Sequence, residues 1–111
     1  MVHWYKIEHA EILKKHGVSE HKFGGKIICI TWFENQIYAF SRKCPHAGAM
    51  LKNGWCERGK IICPFHRHEF DLATGKGNPE QHNFIHVYPI KMEDNEYFVG
   101  LEIGFWKGLF T

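Results

Sequence analysis

Apolar positions along this chain come in short runs, and each run closes on a turn signal. Trp4-Tyr5-Lys6-Ile7 suits an opening strand. His9 to His16 fits one or two helical turns ended by Gly17, too few to stand without tertiary contacts. Gly24-Gly25 leads into the β-branched and aromatic run Lys26 to Phe33, and Glu34-Asn35-Gln36 reverses it into Ile37-Tyr38-Ala39-Phe40. The two runs predict a hairpin. Farther along, Gly54 to Lys60 fits strand, tight turn and strand, continuing through Ile61-Ile62 to Cys63. Glu69-Phe70-Asp71 opens a second hairpin around Thr74-Gly75-Lys76-Gly77. After Asn78-Pro79, one strand over His86-Val87-Tyr88-Pro89-Ile90-Lys91 faces another over Glu96 to Leu101, across the turn Glu93-Asp94-Asn95. Roughly eight to ten short strands result, which predicts an all-β chain.

At 111 residues this is the length of one small domain, residues 1–111, with no linker, repeat or low-complexity segment. So short a fold leaves much of its surface in water, so a bound metal would help to hold it. The formal net charge of +2 is too small to argue for nucleic acid. Without eighteen consecutive apolar residues no membrane span is expected, and Met1 to Lys6 lacks the apolar run of a secretory signal. Together with cysteines expected to stay reduced, this leads to the expectation of a cytoplasmic protein. The apolar tail Phe105 to Phe110 is expected to cover the body of the domain, the alternative being that it faces a partner.

Four cysteines admit disulfides, but their settings differ. Cys29 lies within Lys26-Ile27-Ile28-Cys29-Ile30, as a buried free thiol would, and Cys56 beside Trp55 suits a structural or idle thiol. Cys44-Pro45-His46 and Cys63-Pro64-Phe65-His66 instead form matching pairs, separated by sixteen residues. Two thiolates and two imidazoles can hold a [2Fe–2S] cluster, one iron on sulfur and the other on nitrogen. Each pair fits a single loop tip, and the span between them is long enough for an outgoing and a returning strand. Gly48 leaves room for backbone N–H groups near sulfide, while Pro45 and Pro64 stiffen the loops. Structural zinc is the main rival. Mixed Cys/His loops around a strand hairpin favour the cluster over a zinc finger, whose ligand pairs flank a helix. A vestigial site and Cys/His nucleophilic catalysis rank lower, since no third orienting group supports the latter.

From the opening strand through Tyr97-Phe98-Val99, the chain resembles the soluble Rieske ferredoxin family. Cys44-Pro45-His46 with Gly48 and Leu51 resembles the first cluster loop, and Cys63-Pro64-Phe65-His66 running into Phe70-Asp71-Leu72-Ala73-Thr74-Gly75 the second. Asn78-Pro79 falls at the family's shielding proline loop. The resemblance implies stacked antiparallel sheets with a small cluster-binding part, here about 42–80, and Cys44, His46, Cys63 and His66 as ligands of one [2Fe–2S] cluster. Ala49 and Phe65 replace the cysteine pair of high-potential members, so that clamp is absent. His68 and Phe70 stand where those members aim serine and tyrosine hydroxyls at the cluster, which implies a potential low in the Rieske range. Proton coupling is expected well above neutral pH. Arg67 stands where many relatives have glycine; its charge is expected either to raise the potential slightly or to salt-bridge to a partner.

No catalytic residues are assigned. The function implied is one-electron transfer from a reductase to a terminal oxygenase or related enzyme, by a monomer with no nucleic-acid or membrane partner. The alternatives are a nitrite reductase small subunit and a zinc-stapled interaction domain. His68, Lys14-Lys15 and Arg42-Lys43 are expected to be solvated, with His82 and His86 at the surface by the proline loop. Trp55 is expected to pack beneath the cluster.

Overall fold

The computed structural model describes residues 2–45, 48–65, 67–78 and 83–102. Among them ten strands form three antiparallel sheets. The first sheet orders β1 (Val2–Lys6), β10 (Glu96–Glu102) and β9 (Ile90–Glu93). The second orders β2 (Ser19–Phe23), β3 (Lys26–Phe33), β4 (Gln36–Ser41) and β8 (Val87–Tyr88). The third is small: β5 (Trp55–Glu57), β6 (Lys60–Ile62) and β7 (Glu69–Asp71).

The hairpins β3–β4, β5–β6 and β9–β10 turn on left-handed residue pairs. These are Glu34 and Asn35 (φ 50° and 64°), Arg58 and Gly59 (49° and 77°), and Asp94 and Asn95 (51° and 65°). Two positive φ values in a row match the right-handed twist of the strands they join. Asparagine and glycine adopt that conformation at least cost.

β3 and β4 are walls shared by two cores. Ile28, Ile30, Ile37 and Ala39 turn one way, onto Ile7, Leu13, Val99 and Leu101. Cys29 and Phe40 belong to the opposite core, with Leu51, Ile61, Phe70, Leu72, Ile85 and both Cys44 and Cys63. Alternation of side chains along a strand produces this division. It also explains the unbroken burial of Ile28 through Thr31, because both faces of β3 are covered.

Three expectations change. The single strand over His86 to Lys91 is two strands in different sheets, β8 and β9, divided at Pro89. Proline has no N–H for a ladder; its carbonyl instead accepts from Gly100 N–H at 2.9 Å. The hairpin around Thr74 to Gly77 reduces to one bridge, Phe70 with Gly77, because β7 pairs with β6 instead. The Asp71 carboxylate accepts from Ala73 and Thr74 N–H (2.8 and 2.9 Å), folding that stretch into a side-chain-capped turn. β2 carries only one large apolar residue, Phe23, so its hydrophobic pattern gave no signal; its pairing with β3 comes from the Gly24-Gly25 turn. The helical segment shortens to a 3-10 turn, Ile12–Lys15, anchored by buried Leu13. Phe105 to Phe110, Pro79 and His82 lie outside the described residues.

Gly54 sits where the chain enters β5, and a Cβ there would press on the backbone carbonyl of Ile62, the residue before Cys63. Backbone cannot yield as a flexible side chain does. Gly54→Ala should therefore destabilise by about 1–3 kcal/mol, read as a lower midpoint in urea at an unchanged m-value.

Candidate metal centre

The two cysteine loops are built alike from unrelated stretches. Loop 44–49 is closed by the bridge Lys43 with Met50, and loop 63–68 by the pair Ile62 with Glu69. In the first, Cys44 N–H donates to the Ala49 carbonyl at 2.8 Å; in the second, Cys63 N–H donates to the His68 carbonyl at 2.7 Å. Each loop places a left-handed residue four positions after its cysteine: Gly48 at φ 68° and Arg67 at φ 53°. Gly48 is needed for that backbone conformation, since no protein atom lies within 4 Å of where its Cβ would be.

Both sulfurs point inward. Cys44 and Cys63 are 1% and 0% exposed, neither is in a disulfide, and the Cys44 thiol lies near enough to act on that of Cys63. Burial pushes the Cys63 thiol up, the Phe65 backbone N–H beside its sulfur acts the other way, and the adjacent Cys44 raises it further. Two adjacent thiolates in such a place need a cation between or beside them, and a coordinated thiol is deprotonated outright. A thiolate-bound metal fits this donor pair.

Cys44 and Cys63 are thus brought together as the spacing predicts, and His46 and His66 lie outside the described residues. Among the described residues, no group of three or more His, Cys, Asp or Glu is placed to hold a metal. Cys29 is a free, fully buried thiol pushed up to about 12, chiefly by burial. Cys56 is free and half-buried; its sulfur lies 3.8 Å from the Thr31 hydroxyl, and burial raises it. Because folding keeps the Cys29 proton to higher pH than the unfolded chain does, its contribution is intact below about pH 9 and lost as pH climbs toward 12. Cys29→Ala should flatten that alkaline decline in urea midpoints.

Lys14, Lys15, Lys43 and His86 are exposed as expected, while Arg42 and His68 are half-buried. Arg42 is not simply solvated: its Nε donates to the Glu20 carboxylate at 3.1 Å. Lys14 lies 4.5 Å from the centre of the Trp32 ring and 3.0 Å from Glu11. His68 is half-buried, and the His86 ring packs on Tyr88 at 4.5 Å. Trp55 carries the Arg67 guanidinium over its ring at 5.2 Å, with the Glu57 carboxylate 3.8 Å from the same group. Phe70 is fully buried and Phe65 is 55% exposed. Sequence reasoning missed the Phe65 N–H as a donor to sulfur; its place after Pro64, within the loop, was the available signal.

A family model described as "Rieske [2Fe-2S] domain" matches residues 3–89. Over 83 residues the chain is 35% identical to the ferredoxin component of naphthalene 1,2-dioxygenase/salicylate 5-hydroxylase systems from Ralstonia sp., covering 73% of this chain and 79% of that one. In structure it is similar to the ferredoxin of carbazole 1,9a-dioxygenase from Nocardioides aromaticivorans, with TM-score 0.76, 23% identity, and coverage of 86% and 95%. A putative NADH-dependent nitrite reductase small subunit from Mycobacterium tuberculosis shares the fold at TM-score 0.80 and 16% identity, covering 94% and 99%.

The φ of Arg67 explains why glycine suits this position. Left-handed backbone costs a residue with a Cβ about 1–2 kcal/mol, partly offset by the greater freedom of unfolded glycine. Arg67→Gly should be more stable than Arg67→Ala by about 1 kcal/mol in urea unfolding, since both variants lose the same side-chain contacts.

Proposed function

Because the chain belongs to the Rieske [2Fe–2S] domain family, we propose that it carries single electrons from a reductase to a terminal oxygenase. In this reading Cys44 and Cys63 hold one iron of the [2Fe–2S] cluster, His46 and His66 hold the other, and no residue is catalytic. The observation that carries it is the pair of buried, unoxidised thiols side by side on two matching loops. The sequence similarity to a dioxygenase-system ferredoxin component supports the choice of oxygenase as acceptor.

When bound, the cluster supplies reversible one-electron chemistry. The chain provides the surroundings. The core of Phe40, Leu51, Ile61, Phe70 and Leu72 keeps water from the sulfur side. The Phe65 N–H aims at the Cys63 sulfur and favours its charged form. Phe70 brings no hydroxyl to this buried side, which supports a potential low in the Rieske range. Residues 1–111 act as one domain in this account, with 42–80 as the cluster-binding part and a monomer as the working unit. Four free cysteines support a reducing compartment, the cytoplasm. No helix among the described residues is long and apolar enough to cross a membrane.

The nitrite reductase small subunit reading draws on shared fold. The complete Cys/His set and the 35% identity to a dioxygenase ferredoxin component favour the carrier. Anaerobically purified protein should contain iron and acid-labile sulfide and give a spin-resonance signal on reduction. His46→Ala and His66→Ala should each bleach the visible spectrum, whereas Cys29→Ala and Cys56→Ala should keep it. Colourless protein that holds zinc and no sulfide would overturn the assignment.

A further inference from the structure

Charge is divided unevenly along the chain. Residues 42–80 carry seven Lys/Arg against four Asp/Glu, a net +3, and the remainder seven against eight, a net −1. Within 42–80, Arg42 and Lys60 are held by internal carboxylates, at 3.1 Å from Glu20 and 3.3 Å from Glu69. Arg67 is held more loosely. Its side chain is 67% exposed, 3.8 Å from a Glu57 carboxylate that is itself open to solvent, and 5.2 Å from the Trp55 ring centre. An ion pair this exposed contributes little to stability.

The same residue occupies a strained backbone position. Loop 44–49 meets an identical requirement with Gly48, at no steric cost, whereas loop 63–68 meets it with arginine at φ 53°. Packing does not account for the arginine, because its guanidinium is not buried. Glu34 and Arg58 hold the same conformation in hairpin turns, so what points to a use for this side chain is its place in a cysteine loop. Exposed Phe65, two residues before it in the same loop, adds an apolar contact beside the cation.

We propose that Arg67 is a partner-recognition residue: it engages a carboxylate on the electron acceptor and so orients the cysteine loops toward an acidic protein surface. This rests on the carrier reading and deepens it by fixing the chemistry of the partner's face. Opposite charge steers encounter and sets register, and its effect fades as salt rises.

The test is voltammetry of the cluster-loaded protein on gold bearing either a carboxylate-terminated or a trimethylammonium-terminated monolayer. Wild type should exchange electrons at least tenfold faster at the carboxylate surface, with the advantage lost as ionic strength rises. Arg67→Glu should remove that preference and Arg67→Gln should reduce it. Lys22→Glu, an equal change of charge on β2, should preserve it, and the visible spectra of all variants should match wild type. Equal rates at both surfaces would overturn the proposal. A shift in midpoint potential on Arg67→Glu with surface preference intact would do the same, making the arginine a tuner of the cluster instead. Should the loaded protein give no reversible one-electron wave at either surface, nor in a mediated solution titration, the carrier reading itself fails and takes this proposal with it.

Discussion

The sheet formed by β2, β3, β4 and β8 is the constraint on which the rest depends, because it has no solvent face to spare along its central strands. Ile28 and Ile30 serve one core while Cys29 serves the other, so β3 is packed on both of its faces. The cysteine loops are attached to the second of these cores. Cys44 leaves the end of β4, Cys63 leaves β6, and their side chains are themselves packing elements beside Phe40, Phe70 and Ile61. Rigidity at the proposed metal centre would come from close packing beneath it, which low compressibility transmits to the sulfur positions. A one-electron carrier benefits from such a mount, since little rearrangement then accompanies a change of charge.

Much of this was legible in the chain. β3, β4, the β5–β6 hairpin and the turn at Asp94-Asn95 follow from alternation, β-branching and turn chemistry, all of which are local. The proximity of Cys44 and Cys63 was legible too, because the span between the two Cys/His pairs fits an outgoing and a returning strand. What escaped the sequence was long-range or backbone-borne. β2 has too few apolar residues to announce itself and exists because β3 offers it an edge. The division of one apolar run at Pro89 depends on two sheets meeting there, which no local signal encodes. The charge of Arg67 was legible, but the left-handed backbone at its position was not.

The likeness of loops 44–49 and 63–68 shows how one geometric problem was met with different residues. Each cysteine N–H is tied to a carbonyl five residues on, and each loop then needs one left-handed residue to close. Gly48 answers by absence of a side chain. Arg67 answers by tolerating strain, and gains a charged group at the edge of the site. A residue type that opposes its local conformation is informative for that reason: the fold alone would have chosen otherwise.

Two cores on either side of one sheet also imply two levels of cooperativity. The core of Ile7, Leu13, Ile30, Val99 and Leu101 contains no candidate metal ligand and closes on its own strands. Loss of the metal would loosen the cysteine side while that half of the interior stayed shut. Demetallation would then be a partial opening, with amide protons of β1 and β10 slow to exchange long after those of Cys44 and Cys63 had been replaced.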